Sequence, residues 1–221
     1  LFTTKGGIFM SREENVINYY VLCNKLKNII RTGWINWNVQ RDRLESVAEH
    51  IYGVQMLTIA MKSEYKYDID IMKVIFMLAI HELGETIIGD LTFKQISSDD
   101  KKIIGHEAVE KILSGLLSGE EIKELIYEFD EGITEEAKFA YHCDKLECDL
   151  QCKLYDEAGY VRADDQLESD NHRKDVMVSL RNGESTWSYN WMTYDRPKYL
   201  DDENFLSVLD YAIDNNISKE D

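Results

Sequence analysis

Proline is almost absent from this chain: its 221 residues include one proline and 12 glycines, so few positions interrupt a helix. No run of about 18 or more uncharged apolar residues occurs, which excludes a transmembrane helix and predicts no membrane partner. Cationic residues are also scarce, since 25 Lys and Arg stand against 42 Asp and Glu and give a formal net charge of −17. That charge disfavours a sequence-independent grip on nucleic acid, which needs a basic face. We therefore expect no nucleic-acid partner.

Cysteines are few as well, and no C-x-x-C pair occurs among Cys23, Cys143, Cys148 and Cys152. Reduced thiols in a cytoplasmic protein are the expectation, with the last three packed along one helix. The opening LFTTKGGIFM has too short an apolar run for a secretory signal. Residues 1–10 are possible leader or added residues, and Met10 could be the biological start, with Leu1 to Phe9 then preceding it.

Helical periodicity is what the chain does contain. Apolar residues make up 44% of it, enough for one sizeable core, and no β-alternation of useful length appears. Ser11 and Ser46 each open a capping box, which marks the start of a helix. The fold class is therefore predicted as all-α. The pattern predicts helices over residues 12–30, from 47 past 61, over 70–88 with Gly89 as the C-cap, after Ser97-Ser98, and over 119–129, 134–156, 167–180 and 201–215.

The predicted organisation is one helical domain over residues 11–160 with a C-terminal helical extension over 161–221. An acidic, Gly-containing stretch over 157–170 is predicted to be a turn or loop between them. The aromatic residues around Trp187 and Trp191 suit docking of the extension onto the domain or onto another subunit.

The dipeptide His81-Glu82 carries the strongest chemical signal. It ends the apolar run MLAI, where a polar group is costly unless it is paired or bound to a metal. Imidazole and carboxylate together suit a borderline divalent metal such as Zn, Mn, Co or Fe. The zincin helix H-E-x-x-H is excluded, because Glu85 stands where the second histidine would be.

Two further ligands are available on other predicted helices. His50 lies in the first turn after a capping box, and Asp144 lies in mid-helix, where Asp is intrinsically unfavourable. With His81 and Glu82 they would give two imidazoles and two carboxylates from three helices. Each has a structural alternative: a histidine on a half-apolar face is commonly a core or surface residue, and Asp144 could cap or pair with Lys145 or Lys138.

The order His50, His81-Glu82, Asp144 on helices resembles the HD-domain metal-dependent phosphohydrolase superfamily, and within it the 5′-deoxynucleotidase group. The resemblance spans about residues 31–156 and implies an HD-domain helical bundle. The strings that carry it are Arg31-Thr-Gly-Trp34, Glu45-Ser-Val-Ala-Glu-His50, His81-Glu-Leu-Gly-Glu85, Ile88-Gly-Asp90 and Glu136-Ala-Lys-Phe139 followed by Asp144.

The resemblance implies a role for each matching residue. One divalent transition metal (Co, Mn, Zn or Fe) would be held by His50, His81, Glu82 and Asp144. The catalytic group would consist of Glu85, which orients or deprotonates the attacking water, and Asp90, which contacts substrate or water. The substrate would be bound by Arg31 at the phosphate and Trp34 near the sugar, where the indole disfavours a 2′-hydroxyl.

Three of the substrate assignments have simpler alternatives. Lys94 could also meet the phosphate, but an exposed lysine is the commoner case. Arg31 could complement the dipole at a helix C-terminus, and Trp34 could be a core aromatic residue. His106 and His142 are interpreted as structural.

The implied activity is hydrolysis of a nucleoside 5′-monophosphate, with a small-molecule nucleotide as substrate and a homodimer as the assembly. One departure matters: Glu82 stands where the family pattern has Asp, and the longer side chain could shift the metal or change its identity. Two alternatives therefore stay open. One is a degenerate HD module that binds a nucleotide or partner without hydrolysis. The other is an HD phosphohydrolase that acts on another phosphorylated substrate.

Overall fold

The computed structural model describes residues 11–92, 94–166, 176 and 178–218. Within those ranges the predicted all-α fold is confirmed, and the only β pairing is an isolated bridge between Ile30 and Ser46. No helix in the described ranges is long and apolar enough to cross a membrane. The helices are α1 (Arg12–Cys23), α2 (Thr32–Asn36), α3 (Val47–Glu64), α4 (Ile71–Ile80), α5 (Glu85–Ile88), α6 (Ser98–Leu113), α7 (Gly119–Glu131), α8 (Glu135–Glu157), α9 (Trp187–Asp195) and α10 (Glu203–Asp214).

Helices α1 and α3 begin at the two predicted capping boxes, with Ser11 and Ser46 as N-caps. Helix α1 is shorter than the predicted 12–30: it ends at Cys23, and a 3₁₀ turn follows over Asn24–Lys27. The reason is tertiary. The backbone of residues 29–31 pairs with that of residues 45–47, and a paired, extended segment cannot continue a helix.

The prediction of one helix over residues 70–88 is wrong. Helix α4 ends at Ile80, and α5 begins only at Glu85. In the tight turn between them, Leu83 N–H donates to Ile80 O and Glu85 N–H donates to Glu82 O, which are three-residue bonds. Gly84 in this turn approaches the backbone of α6 so closely that a Cβ would lie 3.1 Å from a carbonyl oxygen there. The predicted cap is confirmed: Gly89 ends α5 at φ 76°.

Helix α8 forms the centre of the bundle and contacts α3, α4, α7, α9 and α10. The core around it contains residues from both halves of the chain, including Val54, Met77, Leu146, Met192 and Phe205. Helix α9 was not predicted, although α10 falls inside the predicted 201–215. Residues 176 and 178–181 are helical, and the remaining residues of the predicted helix over 167–180, with the end of the predicted loop, lie outside the described residues. The domain boundary near residue 160 stays a prediction.

Asp149, which is 0% exposed, joins α8 to the C-terminal helices. Its two oxygens accept from the indole N–H of Trp191 at 2.9 Å and the hydroxyl of Tyr199 at 2.5 Å. The change Asp149→Leu leaves both donors unpaired and should lower the free energy of unfolding by about 1–3 kcal/mol, as measured by urea denaturation. As a control, Asp210→Asn weakens only the half-exposed pair with Arg196 and should lower the free energy of unfolding much less, because exposed ion pairs contribute little. Equal losses of stability in the two variants would contradict the role of Asp149 in joining α8 to the C-terminal helices.

Candidate metal centre

The bundle brings the four sequence-predicted ligands together. One candidate ligand atom from each of His50 on α3, His81 and Glu82 after α4, and Asp144 on α8 lies within 4.8 Å of the others. Oδ1 of Asp144 is 3.0 Å from Nε2 of His50 and 3.7 Å from Nε2 of His81. Two imidazoles and two carboxylates in this arrangement could hold a borderline divalent ion. The role of each residue stays a prediction.

The orientation of His81 fits a metal ligand. Its Nδ1 donates to the backbone oxygen of Leu78 at 2.8 Å, because a carbonyl can only accept. The other ring nitrogen, Nε2, is buried and has no hydrogen-bond partner among the described residues. A buried nitrogen without a partner is costly, and coordination of an ion would remove that cost.

Glu82 reaches the cluster in spite of its extra methylene. Its Oε1 lies 3.8 Å from Nε2 of His81 and 3.7 Å from Nη1 of Arg31. Burial alone would raise the pKa of Glu82, but interactions with His81 and Arg31 outweigh it and lower the pKa to about 2. Burial is likewise overcome at Asp144, whose pKa is held well below its usual value by Lys145 and by the hydrogen bond from His50. Both carboxyls are thus in the ionised form that binds cations.

Glu85 lies at the start of α5 and is 3% exposed. Its Oε1 accepts from the ammonium of Lys101 on α6 at 3.0 Å, while Oε2 is buried without a hydrogen-bond partner among the described residues. Burial, with the nearby charge of Glu82, raises the pKa of Glu85 to about 9. Only the ionised form of this carboxyl can accept a proton as a general base, and a cation bound beside it would favour that form.

Asp90 anchors the segment that carries Arg31. Its Oδ2 accepts from the backbone N–H of Thr32 at 2.5 Å, and its backbone oxygen accepts from the Thr32 hydroxyl at 2.6 Å. The Arg31 side chain is 15% exposed and lies at the edge of the cluster, beside Glu82. These contacts place both residues next to the candidate metal centre, and their contacts with a substrate stay predictions.

Trp34 lies in the core, as the simpler of its two sequence interpretations, a core aromatic residue, predicts. It is 1% exposed, its indole N–H donates to Oε2 of Glu45 at 2.8 Å, and its ring meets Tyr155 edge-on at 5.3 Å between centroids. Lys94 is exposed in the loop after Asp90. The sugar contact of Trp34 and the phosphate contact of Lys94 stay predictions.

Three charged residues at the centre were missed from sequence. Lys101 could have been suspected, because a cation in the first turns of α6 opposes the helix dipole. Glu147 follows Asp144 by three residues on α8 and therefore shares its face; its Oε2 lies 2.5 Å from Nδ1 of His50. The third is Glu45. Burial and the neighbouring Glu147 raise the pKa of Glu45 to about 7.

The remaining histidines have structural partners. His106 pairs with Asp130 at 2.6 Å and stacks on Tyr127. Nε2 of His142 lies 3.2 Å from the backbone oxygen of Lys198. All four cysteines are free thiols, and Cys143 and Cys152 are buried. These contacts agree with the structural interpretation of His106 and His142.

Comparison with known proteins supports the HD-domain resemblance of the sequence. The family profile described as HD domain matches residues 23–181. The 5′-deoxynucleotidase HDDC2 of Dictyostelium discoideum is 33% identical over 151 residues, which are 65% of this chain and 78% of that protein. The 5′-deoxynucleotidase hdd1 of Schizosaccharomyces pombe is 30% identical over 153 residues, 66% of this chain and 75% of that protein. A solved structure, named as a predicted metal-dependent phosphohydrolase from Magnetospirillum magnetotacticum MS-1, has a TM-score of 0.66 at 20% identity and covers 93% of this chain and 95% of its own; it shows the fold.

A helical bundle that gathers His and carboxylate ligands from several helices defines a class of metal-binding helical proteins. This chain belongs to the HD-domain family, whose profile covers most of it. The family that the order of His50, His81-Glu82 and Asp144 predicted is confirmed.

Proposed function

We propose that this protein is a metal-dependent phosphomonoesterase that hydrolyses nucleoside 5′-monophosphates, with a preference for the 2′-deoxy sugar, to nucleoside and phosphate. The observation that carries the proposal is the convergence of His50, His81, Glu82 and Asp144 on one point. It is supported by 33% identity to a 5′-deoxynucleotidase. The reach of Glu82 into the cluster favours an active site over a degenerate module.

One divalent ion (Co, Mn, Zn or Fe) would be held by these four side chains. When bound, it supplies Lewis acidity, which lowers the pKa of water and neutralises negative charge on a phosphate. Both carboxylates of the set are ionised, and Nε2 of His81 is directed into the cluster without a competing hydrogen bond from the described residues. The donor set therefore fits such an ion.

The other residues would bind the nucleotide and accept the proton of the attacking water. In its ionised form, Glu85 takes the proton of the attacking water through Oε2, which has no hydrogen-bond partner among the described residues. Arg31 binds the phosphate with its guanidinium fork, and Asp90 keeps Arg31 in place while contacting substrate or water. Lys94 contributes positive charge toward the phosphate. Trp34 shapes the wall near the sugar.

The assembly and compartment belong to the same proposal. We propose a cytoplasmic homodimer that takes a small nucleotide and no nucleic acid, consistent with the net charge of −17. Residues 161–221 would form an extension of the domain over 11–160. Helices α9 and α10 pack on α8, as this division requires.

The test is release of inorganic phosphate from a panel of deoxy- and ribonucleoside 5′-monophosphates, with Co²⁺, Mn²⁺ or Zn²⁺ added in turn. We expect turnover with at least one metal and faster turnover of the deoxy substrates. No turnover with any metal, in protein that remains folded, would falsify the enzyme proposal. Turnover of other phosphomonoesters but not of nucleotides would indicate another substrate. Bound metal and nucleotide without any hydrolysis would indicate a binding module.

A further inference from the structure

A buried carboxylate outside the four ligands contacts His50 at its other ring nitrogen. Nδ1 of His50 lies 2.5 Å from Oε2 of Glu147, while Nε2 faces Asp144. When an ion occupies the site, Nε2 would give up its hydrogen bond to Asp144 and bind the ion, and Nδ1–H would then donate to Oε2 of Glu147. We propose that Glu147 is a positioning residue that fixes the orientation and tautomer of His50 for metal binding. The inference rests on the proposed metal site.

Two carboxylates of one helix restrain the imidazole from both ends. Asp144 and Glu147 are three residues apart on α8, so both face the His50 ring across the α3–α8 contact. His50 is fully buried, and rotation of its ring would break both contacts. A histidine ligand restrained through its second nitrogen binds metal more tightly, because its orientation is fixed in advance.

Helix α3 leaves room for this carboxylate. Gly53 lies in the interior of α3, one turn after His50, where glycine costs about 1 kcal/mol relative to alanine. A Cβ at Gly53 would overlap Oε1 of Glu147 and crowd Cδ and Cγ of the same side chain. The space that the glycine leaves is therefore occupied by the Glu147 side chain.

Glu147 also borders solvent-accessible space, which makes the proposal open to chemical rescue. With Gly53, Arg41, Arg43 and Tyr52 it lines a cavity of about 300 Å³. If the side chain is shortened to alanine, a small carboxylate such as acetate can enter from this cavity and take the place of the missing carboxylate beside His50. A leucine at the same position fills that space and blocks entry.

The experiment measures Zn²⁺ affinity by competition with a chromophoric chelator, independently of activity. Glu147→Leu should raise the Kd by about 10- to 100-fold, the usual cost of losing an outer partner of a metal-binding histidine. Glu147→Gln keeps an acceptor and should recover most of the affinity. Glu147→Ala should be weak and regain affinity in acetate, whereas Glu147→Leu should not respond to acetate.

Two controls separate positioning from general destabilisation and from failure of the metal site. Asp149→Leu removes a buried acid two residues away on α8, and it should lower stability while leaving the Kd unchanged. His50→Ala should abolish tight binding. If His50→Ala does so but Glu147→Leu binds like the unmodified protein, the positioning role is overturned and the metal site stands. A Gln variant as weak as the Leu variant would overturn it too. If His50→Ala binds normally, the proposed metal site itself is wrong.

Discussion

Replacing His81 by alanine should leave the protein almost without metal. Nε2 of His81 is the one ring nitrogen of the cluster that is buried with no hydrogen-bond partner among the described residues, so its loss removes a ligand that nothing nearby replaces. The loss in affinity should exceed the roughly 10- to 100-fold that removal of an outer partner costs. Elemental analysis after purification in excess metal should find about one ion per chain in the unmodified protein and close to none in the variant. Phosphate release should fall to background.

His106→Ala is the matched control for this change. It removes another imidazole, but a more exposed one that pairs with Asp130 and stacks on Tyr127. Metal content and turnover should stay as they are. Full metal occupancy in His81→Ala would contradict the ligand assignment. Loss of metal in both variants would show that the measurement reports folding rather than coordination.

The candidate metal centre was predictable from sequence where the signal is local. A histidine just inside a capping box, a His-Glu pair at the end of an apolar run and an aspartate in mid-helix are each visible along the chain. Their order, compared with that of a known family, indicated that they belong together. Their convergence within 4.8 Å depends on how α3, α4 and α8 pack, which no single segment encodes.

The remaining residues of the site were hidden by that same dependence on packing. Glu147 contacts a histidine 97 residues away in sequence, and α8 contains so many acids that spacing alone cannot select it. Lys101 comes from a helix that the sequence predicted correctly but gave no reason to place beside Glu85. The burial of Trp34 follows from α9, because Trp187 and Trp191 cover its ring.

The errors in the fold have related causes. Helical periodicity runs through residues 70–88, yet the close approach of Gly84 to α6 imposes a turn there. Helix α9 was missed because it is rich in Trp, Tyr, Ser and Asn, which are middling or poor helix formers. It is stabilised instead by burial of Trp187 and Met192 against the core. In both cases tertiary contacts outweigh local preference.

Replacing Glu85 by glutamine should lower kcat by about 10²- to 10⁴-fold, the range that a positioned general base contributes, while the metal stays bound. Glutamine keeps the size of the side chain and an acceptor for Lys101, but it cannot take a proton. Since Glu85 is not among the four residues whose ligand atoms cluster, the ion does not depend on it. Steady-state phosphate release and metal analysis on the same sample measure the two quantities together.

Glu157→Gln provides the comparison for that change. Glu157 is also a glutamate paired with a lysine, since its Oε1 lies 3.3 Å from Nζ of Lys153. Its side chain is 9% exposed, and its other contacts hold the end of the described chain at Ile217. The kcat of the Glu157→Gln variant should match that of the unmodified protein. If Glu85→Gln loses metal together with activity, Glu85 is a ligand and not a base. If it keeps both metal and activity, another group must accept the proton of the attacking water. Asp90 is the residue to replace next, because it lies near enough to raise the pKa of Glu85.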